Sequence, residues 1–171
     1  EIGWLKNAIA FHGEEEGYRR VSRSSINKYT PHSMLNEFER VLTSVHDHIP
    51  DSGIIFEDGK IVDLQVKHTI PQNMDDAIEI RNLVLAASEK VLESECIFLT
   101  LGYTETWWDL ETGIIANEAP PFWLVKKYPE RFEFRVIDEA ECFECLQKIY
   151  DLLTSKLKTF NLIITVSPVP L

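Results

Sequence analysis

The pattern of apolar positions predicts a β–crossover–β unit in the second half of the chain. Two short runs, Ile97-Phe-Leu-Thr-Leu101 and Asn161-Leu-Ile-Ile-Thr-Val166, are too evenly apolar to leave one face in water. Such runs are typical of strands buried on both faces of a parallel sheet. Between them, Asp138-Glu-Ala-Glu141 has the spacing of a helix capping box, and helical apolar spacing continues to residue 157. Parallel strands joined by such a crossover end at the same edge of their sheet.

The first half of the chain is predicted to contain a helix and a β-hairpin. The helix starts at Pro31-His-Ser-Met, with Ser33 as its N-cap, and ends before Pro50. The hairpin covers residues 54–64, and Asp58-Gly59 forms its turn. A hairpin in a protein with a parallel sheet is an insertion or an edge feature.

Three further segments complete the predicted elements. A long amphipathic helix is expected over residues 74–93, with Asn73 as its cap. The segment Asn117–Trp123 is predicted to be a rigid loop, and Phe132–Val136 is predicted to be a strand with one exposed face or at an edge. The apolar stripe of the long helix, expected to pack on a sheet, is formed by Leu83, Leu85, Ala86 and Val91.

Length and charge narrow the possible functions. A chain of 171 residues is long enough for one domain with a proper core, so we expect a single domain over residues 1–171. The formal net charge of −11 argues against a nucleic-acid partner or an anionic membrane surface, because phosphate contacts need clustered Lys and Arg. No apolar run approaches the roughly 20 residues that cross a bilayer, so no membrane span is expected.

The cysteines predict neither a disulfide framework nor a metal site. Three cysteines cannot all pair, and Cys142 and Cys145 lie three positions apart in the predicted helix. Without a second Cys/His pair they are interpreted as core thiols in a reducing compartment. We therefore expect no metal and no cofactor. No export signal is visible, so a cytoplasmic location is expected, although an N-terminus missing from this sequence would take such a signal with it.

The leading candidate site is the polar segment that follows the first apolar strand. In open α/β sheets, ligands bind just outside the carboxyl ends of the strands. The N–H of Gly102 is a candidate donor to an oxyanion, and Thr104 would add a second donor. Glu105 would support them as an acid, a base or a fixed part of the loop. The alternative for Gly102 is an ordinary turn at the end of a strand.

Aromatic residues surround this segment and have two interpretations. They could form a platform for a sugar or acyl group, or they could pack the loops against the sheet, where indole rings are mostly buried. The candidates for substrate binding are Tyr103, Trp107, Trp108, Asp109 and Trp123, and Phe122 belongs to the same aromatic group.

Several blocks of this sequence resemble the GSCFA-domain family. The most specific are Thr100-Leu-Gly-Tyr-Thr-Glu-Thr-Trp-Trp-Asp109 and Thr165-Val-Ser-Pro-Val-Pro-Leu171. Weaker blocks are Tyr29-Thr-Pro-His-Ser-Met34, Glu111-Thr-Gly113, Asn117 and Ala119-Pro-Pro-Phe122. The family is bacterial and is grouped with the SGNH (GDSL-like) hydrolases. That resemblance implies a flavodoxin-like three-layer α/β/α sandwich with a mostly parallel sheet, and a Ser-His-Asp type site that acts on esters, often acetyl groups on sugars.

The resemblance also assigns roles to individual residues. Gly102-Tyr-Thr-Glu105 stands where SGNH enzymes carry G-x-N-D, so Gly102 would supply an oxyanion-hole N–H and Thr104 would replace the Asn donor. The signature Gly-Ser-Cys-Phe-Ala, which would carry the nucleophile, does not occur in these 171 residues. Of the serines considered, Ser24, Ser25 and Ser167, none stands in the matching context. The chain is therefore expected to be a segment truncated at both ends, with the nucleophile upstream and the His downstream.

Three functions are consistent with these observations. The first is an SGNH-like ester hydrolase or acyl transferase that acts on an acylated carbohydrate. The second is a non-catalytic glycan-binding or interaction domain that kept the fold and lost the triad. The third, a metal-dependent enzyme, is the least supported because no ligand spacing favours it.

Overall fold

The computed structural model describes residues 27–43, 53–56, 58–66 and 71–167. Within these ranges the chain is mixed α/β. The predicted helix end before Pro50 and the serines Ser24 and Ser25 lie outside the described residues. None of the helices in these ranges has the length and apolar character needed to span a bilayer.

The predicted β–crossover–β unit is confirmed. Strand β3 (Cys96–Leu101) pairs in parallel with β7 (Asn161–Val166), and Ile97 lies opposite Leu162. The N–H of Ser167 donates to the carbonyl of Leu101 over 2.8 Å, so both strands end at the same edge. Helix α4 (Glu139–Lys156) lies between them in sequence. As predicted, Asp138 caps this helix, because its carboxylate accepts from the N–H of Glu141 at 2.9 Å.

One face of this parallel pair packs against two helices. Ile97 and Leu99 of β3 contact a core cluster contributed by helix α1 (Pro31–Thr43) and by α4, where Ile149 is fully buried. On the other face of the strand, Phe98 is 57% exposed. The expectation that the strand is buried on both faces is therefore not met among the described residues. The run is apolar on both faces, and only one of them is covered there.

A second sheet follows β3 directly and was not predicted as a whole. Strands β4 (Glu105–Asp109), β5 (Ile114–Ile115) and β6 (Phe132–Val136) are antiparallel, in the order β5-β4-β6. The turn between β4 and β5 contains Gly113, whose φ of 72° favours glycine. The prediction for β6 is confirmed, because it is an edge strand of this sheet with an exposed face. The segment of β4 was expected to be a ligand-binding loop and is instead the central strand.

The remaining elements differ from the predictions in detail. The hairpin of β1 (Gly53–Ile55) and β2 (Ile61–Asp63) is confirmed, and so is its turn, where Gly59 has a φ of 77°. Helix α3 (Phe122–Lys127) begins inside the segment that was predicted to be a loop. Its first residue, Phe122, remains exposed.

The N-terminus of α1 is capped by a different residue from the one predicted. The N–H of Ser33 donates to Thr30 Oγ1, and the N–H of Thr30 donates to Ser33 Oγ, both at 3.1 Å. This reciprocal pair makes Thr30 the N-cap and places Ser33 at the third helical position. Pro31 occupies the first helical position, where its missing N–H costs no hydrogen bond.

The long helix is shorter and less amphipathic than predicted. Helix α2 (Met74–Ser88) continues into a 3-10 helix, Glu89–Glu93. The predicted cap is confirmed, because Asn73 accepts from the N–H of Asp76. The predicted apolar stripe is wrong at Ala86, which is exposed. The buried positions of α2 are Ala77, Arg81 and Val84.

Candidate functional site

A pocket of about 400 Å³ opens beside the carboxyl end of β3. Three chain segments form its wall: the residues before α1, the start of the antiparallel sheet, and the loop after β5. Three of the predicted site residues, Tyr103, Glu105 and Trp107, belong to this wall. The described lining residues are Tyr29, Thr30, Tyr103, Glu105, Trp107, Ala116, Asn117, Glu118 and Ala119.

The contact between Tyr29 and Tyr103 brings the first two segments together. The N–H of Tyr103 donates to the carbonyl of Tyr29 over 3.0 Å, and the two ring centroids are 5.5 Å apart. Gly102 eases this approach, because a Cβ at that position would lie 3.2 Å from the Tyr29 carbonyl oxygen and would require a shift of a few tenths of an ångström. The glycine therefore allows the strand end to approach the segment before α1 closely.

Gly102 and Thr104 flank Tyr103 in the chain but are not part of the pocket wall. Within the described part of the chain, the N–H of Gly102 makes no hydrogen bond. The carbonyl of Thr104 accepts from the N–H of Ile137 at 2.9 Å, which anchors this residue to the segment after β6. Its hydroxyl is exposed and lies 3.5 Å from Glu105 Oε2. Among the described residues, Gly102 thus keeps an unused N–H, and the Thr104 hydroxyl has only its 3.5 Å contact with Glu105.

Alternation along β4 separates the two predicted tryptophans. Glu105 and Trp107 lie on the face that lines the pocket, and the Trp107 ring meets the edge of Phe134 at 5.4 Å. Trp108 lies on the other face, where the guanidinium of Arg135 is 4.3 Å from its ring centroid. Successive side chains of a strand point to opposite faces, so these adjacent indoles cannot form one platform.

Asp109 is enclosed by hydrogen-bond donors at the far end of β4. Its side chain is fully buried, and both of its oxygens accept from Arg131 at 2.7 Å. The hydroxyl of Thr112 donates to it at 2.9 Å, and the N–H of Glu111 donates at 3.2 Å. A bidentate guanidinium contact of this kind fixes the geometry of both partners. Asp109 holds the turn to β5 and lies outside the pocket wall.

Trp123 lies on α3 and packs away from the other predicted site residues. Its ring centroid is 6.1 Å from that of Phe56, near the hairpin. The structure thus brings together Tyr103, Glu105 and Trp107, and it places Trp108, Asp109 and Trp123 elsewhere. The functional roles predicted for all of these residues stay predictions.

Asn117 is a pocket residue to which sequence reasoning gave no role. It is fully buried; its backbone N–H donates to the carbonyl of Leu64 at 2.9 Å, and its Nδ2 donates to the carbonyl of Asn27 at 2.8 Å. These bonds fix the amide, and within the described ranges its buried Oδ1 has no hydrogen-bond partner. A buried acceptor left unpaired is costly unless something else satisfies it.

Other pocket residues were also missed. Tyr29, Thr30 and Glu118 reach the wall from segments far apart in sequence. The available signal was that Tyr29, Thr30 and Asn117 stand in blocks that resemble a known family. Their residue types alone indicate no chemistry.

A buried ion pair lies next to Tyr29 in sequence. The Nζ of Lys28 is 3.2 Å from Glu37 Oε2 and donates to the carbonyl of Gln65 at 2.9 Å. Burial lowers the pKa of Lys28, and Glu37 only partly opposes this. Burial alone would raise the pKa of Glu37, but the positive charge of Lys28 and a hydrogen bond from Ser88 lower it overall. This pair anchors the segment that carries Tyr29.

The described residues contain no group of three or more His, Cys, Asp or Glu side chains placed to hold a metal ion. Of the two cysteines that were predicted to be core thiols, Cys145 is buried, and burial raises its pKa to about 11. The prediction is wrong for Cys142, which is only half-buried. Among the described residues, His32 is the only histidine. It contacts Glu141 and lies outside the pocket wall.

Comparison with protein families gives a match over most of the chain. The model of the GSCFA family matches residues 7–171, so the chain belongs to that family. Comparison with curated proteins and with solved structures gives no match.

Proposed function

We propose that this member of the GSCFA family contributes the oxyanion hole and the substrate pocket of an SGNH-like ester hydrolase or acyl transferase that acts on an acylated carbohydrate. The observation that carries the proposal is the N–H of Gly102, which is unpaired within the described residues and stands at the end of a parallel strand beside the pocket. The proposal includes the complete fold, a flavodoxin-like three-layer α/β/α sandwich to which β3, β7 and α4 belong.

In the proposed reaction a serine hydroxyl attacks the ester carbonyl and a histidine takes its proton. The carbonyl oxygen becomes an oxyanion that accepts hydrogen bonds from the N–H of Gly102 and from Thr104. The tetrahedral intermediate collapses, and the sugar hydroxyl leaves with the proton from the histidine. Water then releases the acid from the acyl-enzyme, or a second alcohol accepts the acyl group.

The serine and the histidine are proposed to come from outside residues 1–171. The Gly-Ser-Cys-Phe-Ala signature is not among these residues. His32 is held by Glu141 outside the pocket wall. A serine without a base in reach is a poor nucleophile.

The pocket supports a carbohydrate as the alcohol part of the substrate. Rings of Tyr29, Tyr103 and Trp107 supply apolar surface for the C–H face of a sugar. The Glu105 carboxylate supplies acceptors for its hydroxyl groups. This combination of apolar walls with a few fixed polar groups is typical of small-molecule sites.

A second candidate function is a glycan-binding domain without catalysis. It is favoured by the pocket wall itself, whose described residues include no Ser, Cys or His. In that case the aromatic and acceptor groups bind the sugar, and no covalent step follows.

The two functions are separated by treating the intact gene product with a fluorophosphonate probe and measuring the hydrolysis of acetylated sugars. The hydrolase predicts one serine adduct and ester cleavage. Thr104→Val should then lower kcat by about 10²-fold, as expected for the loss of one oxyanion donor. Thr159→Val removes a hydroxyl from an exposed turn and should leave kcat unchanged. No adduct and no cleavage, together with saturable sugar binding, would establish the glycan-binding domain instead.

A further inference from the structure

The hydrogen bonds between β3 and β7 show which edge of β3 is used. The N–H of Asn161 donates to the carbonyl of Glu95 at 2.9 Å, and the N–H of Ser167 donates to the carbonyl of Leu101 at 2.8 Å. The two strands pair in register between these bonds. Because successive residues of a strand direct their N–H and carbonyl groups to opposite edges, the odd-numbered residues of β3 face β7.

The even-numbered residues of β3 therefore face the opposite edge. Within the described ranges, Phe98, Thr100 and Gly102 make no backbone hydrogen bond there. These unpaired groups recur every second residue, about 6.6 Å apart, which is the repeat that a neighbouring strand matches. An unpaired edge of an apolar strand is a template for pairing with another extended segment.

A second pocket, of about 340 Å³, lies along this edge. Its wall includes the consecutive residues Phe98, Leu99 and Thr100, whose side chains alternate between the two faces of β3. A pocket that touches both faces of a strand lies at its edge, and β7 occupies the other edge. We call this pocket the edge groove. The apolar side chains that line it from α1 and the 3-10 helix are Met34, Phe38, Val41 and Val91.

The charged groups of the edge groove are already paired with each other. The Nζ of Lys28 is 3.2 Å from Glu37 Oε2, and both side chains are less than a tenth exposed. The hydroxyl of Ser88 donates to Glu37 Oε1 at 2.6 Å. The groove thus offers apolar side chains and unpaired backbone groups, which are the two features that bind an added strand at a sheet edge.

We propose that the edge groove binds an extended segment of the same polypeptide, from outside residues 1–171, as a strand parallel to β3. This inference rests on the proposed function, which needs a serine from outside these residues near Gly102. A parallel strand ends at the same edge of the sheet as β3, so the residue that follows it reaches the pocket beside Tyr103. A single extended segment fits beside α1, whereas the β3 edge of a second folded copy is flanked by the same helices.

The test measures amide hydrogen exchange by NMR in the isotope-labelled intact gene product. The amides of Ile97 and Leu99, which face β7, are the internal reference. The amides of Phe98 and Thr100 should exchange within about 10-fold of that reference, because both edges of β3 are then paired. Cross-strand NOEs should connect them to a segment outside residues 1–171, in the pattern of parallel strands.

Two results would overturn the proposal. Exchange of the Phe98 and Thr100 amides at nearly the rate of an unstructured chain would show that the edge is open. Protection with NOEs from residues within 1–171, from a second copy in a mixed-label sample, from a separate protein, or from an antiparallel strand would show a different occupant.

Val91→Glu tests whether the added strand lies in the edge groove. It places a carboxylate in the apolar wall, so the exchange of the Phe98 and Thr100 amides should accelerate about 10-fold relative to the reference amides. Leu92→Glu makes the same change at the adjacent exposed position and should leave this ratio unchanged. An unchanged ratio in Val91→Glu would contradict the groove as the binding site. If Val91→Glu does not fold, the measurement on the unmutated protein still decides.

The result is separable from the ester chemistry. A paired β3 edge without any serine adduct would support the added strand and contradict the hydrolase. A serine adduct with ester cleavage, together with an open edge, would support the hydrolase and contradict the added strand.

Discussion

The parallel pair β3–β7 packs on its helices through apolar contacts, whereas the antiparallel sheet β5–β4–β6 closes around a buried carboxylate. Ile97 and Leu99 meet a cluster of aliphatic side chains from α1 and α4. In the antiparallel sheet, Asp109 is fully buried and binds Arg131 through both oxygens. The first kind of contact is non-directional, and the second fixes distances and angles.

This difference explains how the pocket is positioned. Glu105 and Trp107 lie on the same strand as Asp109. Their placement therefore depends on the antiparallel sheet, which the Asp109–Arg131 ion pair stabilises. Gly102 lies between the two sheets in sequence, at the end of β3. Apolar cores tolerate small changes of side-chain shape. Removing one partner of a buried ion pair, in contrast, lowers stability strongly. The two sheets should therefore respond differently to mutation.

The largest effect is expected for Asp109→Asn. It leaves the Arg131 guanidinium, which is only 10% exposed, with the exposed Glu111 as its remaining ion-pair partner. The free energy of unfolding should fall by about 3–5 kcal/mol, as for other buried pairs that lose one partner. Urea denaturation measures this loss. The control is Asp58→Asn, which breaks an exposed pair with Lys60 and should not shift the urea midpoint. Equal behaviour of the two variants would contradict a sheet held by charge.

A smaller effect is expected where the hairpin contacts the antiparallel sheet. Gln65 is fully buried, and its Nε2 donates to the carbonyl of Ile115 at 2.6 Å. Gln65→Leu removes this donor and leaves the carbonyl unpaired, so stability should fall by about 1–3 kcal/mol. Gln147→Leu changes an exposed glutamine of α4 and serves as the control. A stability equal to that of the unmutated protein would show that this hydrogen bond does not hold β5 to the hairpin.

The apolar unit should be more tolerant. Ile149 is fully buried between α4 and the rest of the core cluster. Ile149→Val removes one methylene group and should cost about 0.5–1.5 kcal/mol. The slope of the urea transition should stay the same, because the fold is unchanged. A loss as large as that of Asp109→Asn would remove the contrast between the two sheets.

The same contrast decides what could be predicted from sequence. The parallel unit is encoded by two apolar runs and a capped helix, all of which are local patterns. The antiparallel sheet depends on contacts between distant positions, because Asp109 binds Arg131, which lies twenty-two positions later. The segment of β4 mixes indole, hydroxyl and carboxylate groups, so its composition suggested a binding loop. The spacing of these residues does not show that the Asp109 carboxylate stabilises the fold while the Glu105 carboxylate lines a pocket.

The candidate site was predictable to a similar degree. The edge of β3 was identified from strand geometry, and Tyr103, Glu105 and Trp107 line the pocket there. Tyr29 and Asn117 reach the same pocket from 74 positions before and 14 after Tyr103, and only the folded chain brings them together. The separation of Trp108 from Trp107 follows from strand alternation, a rule that does not extend to the loop that was predicted for this segment.

The smallest expected effect concerns His32, which contacts elements of both parts of the molecule. Its Nε2 is 3.1 Å from Glu141 on α4, and its ring meets the Trp108 ring on β4 at 5.9 Å. Burial lowers the pKa of His32 below the ordinary value of 6.5, and Glu141 partly offsets this. The unfolded chain therefore binds a proton more readily, so stability should decrease as the pH falls below about 6.5.

This pH dependence is tested between pH 5.0 and 7.5 by comparing each variant with the unmutated protein. Glu37, whose pKa is also lowered, loses its contribution only below its ordinary value of 4.5, so it does not interfere in that window. His32→Gln should flatten the dependence of the urea midpoint on pH. Glu141→Gln should steepen it, because the carboxylate that favours the protonated imidazole is gone. If Glu141→Gln flattened the profile instead, the ion pair would outweigh burial, and His32 would join the two sheets as a cation rather than as a neutral ring.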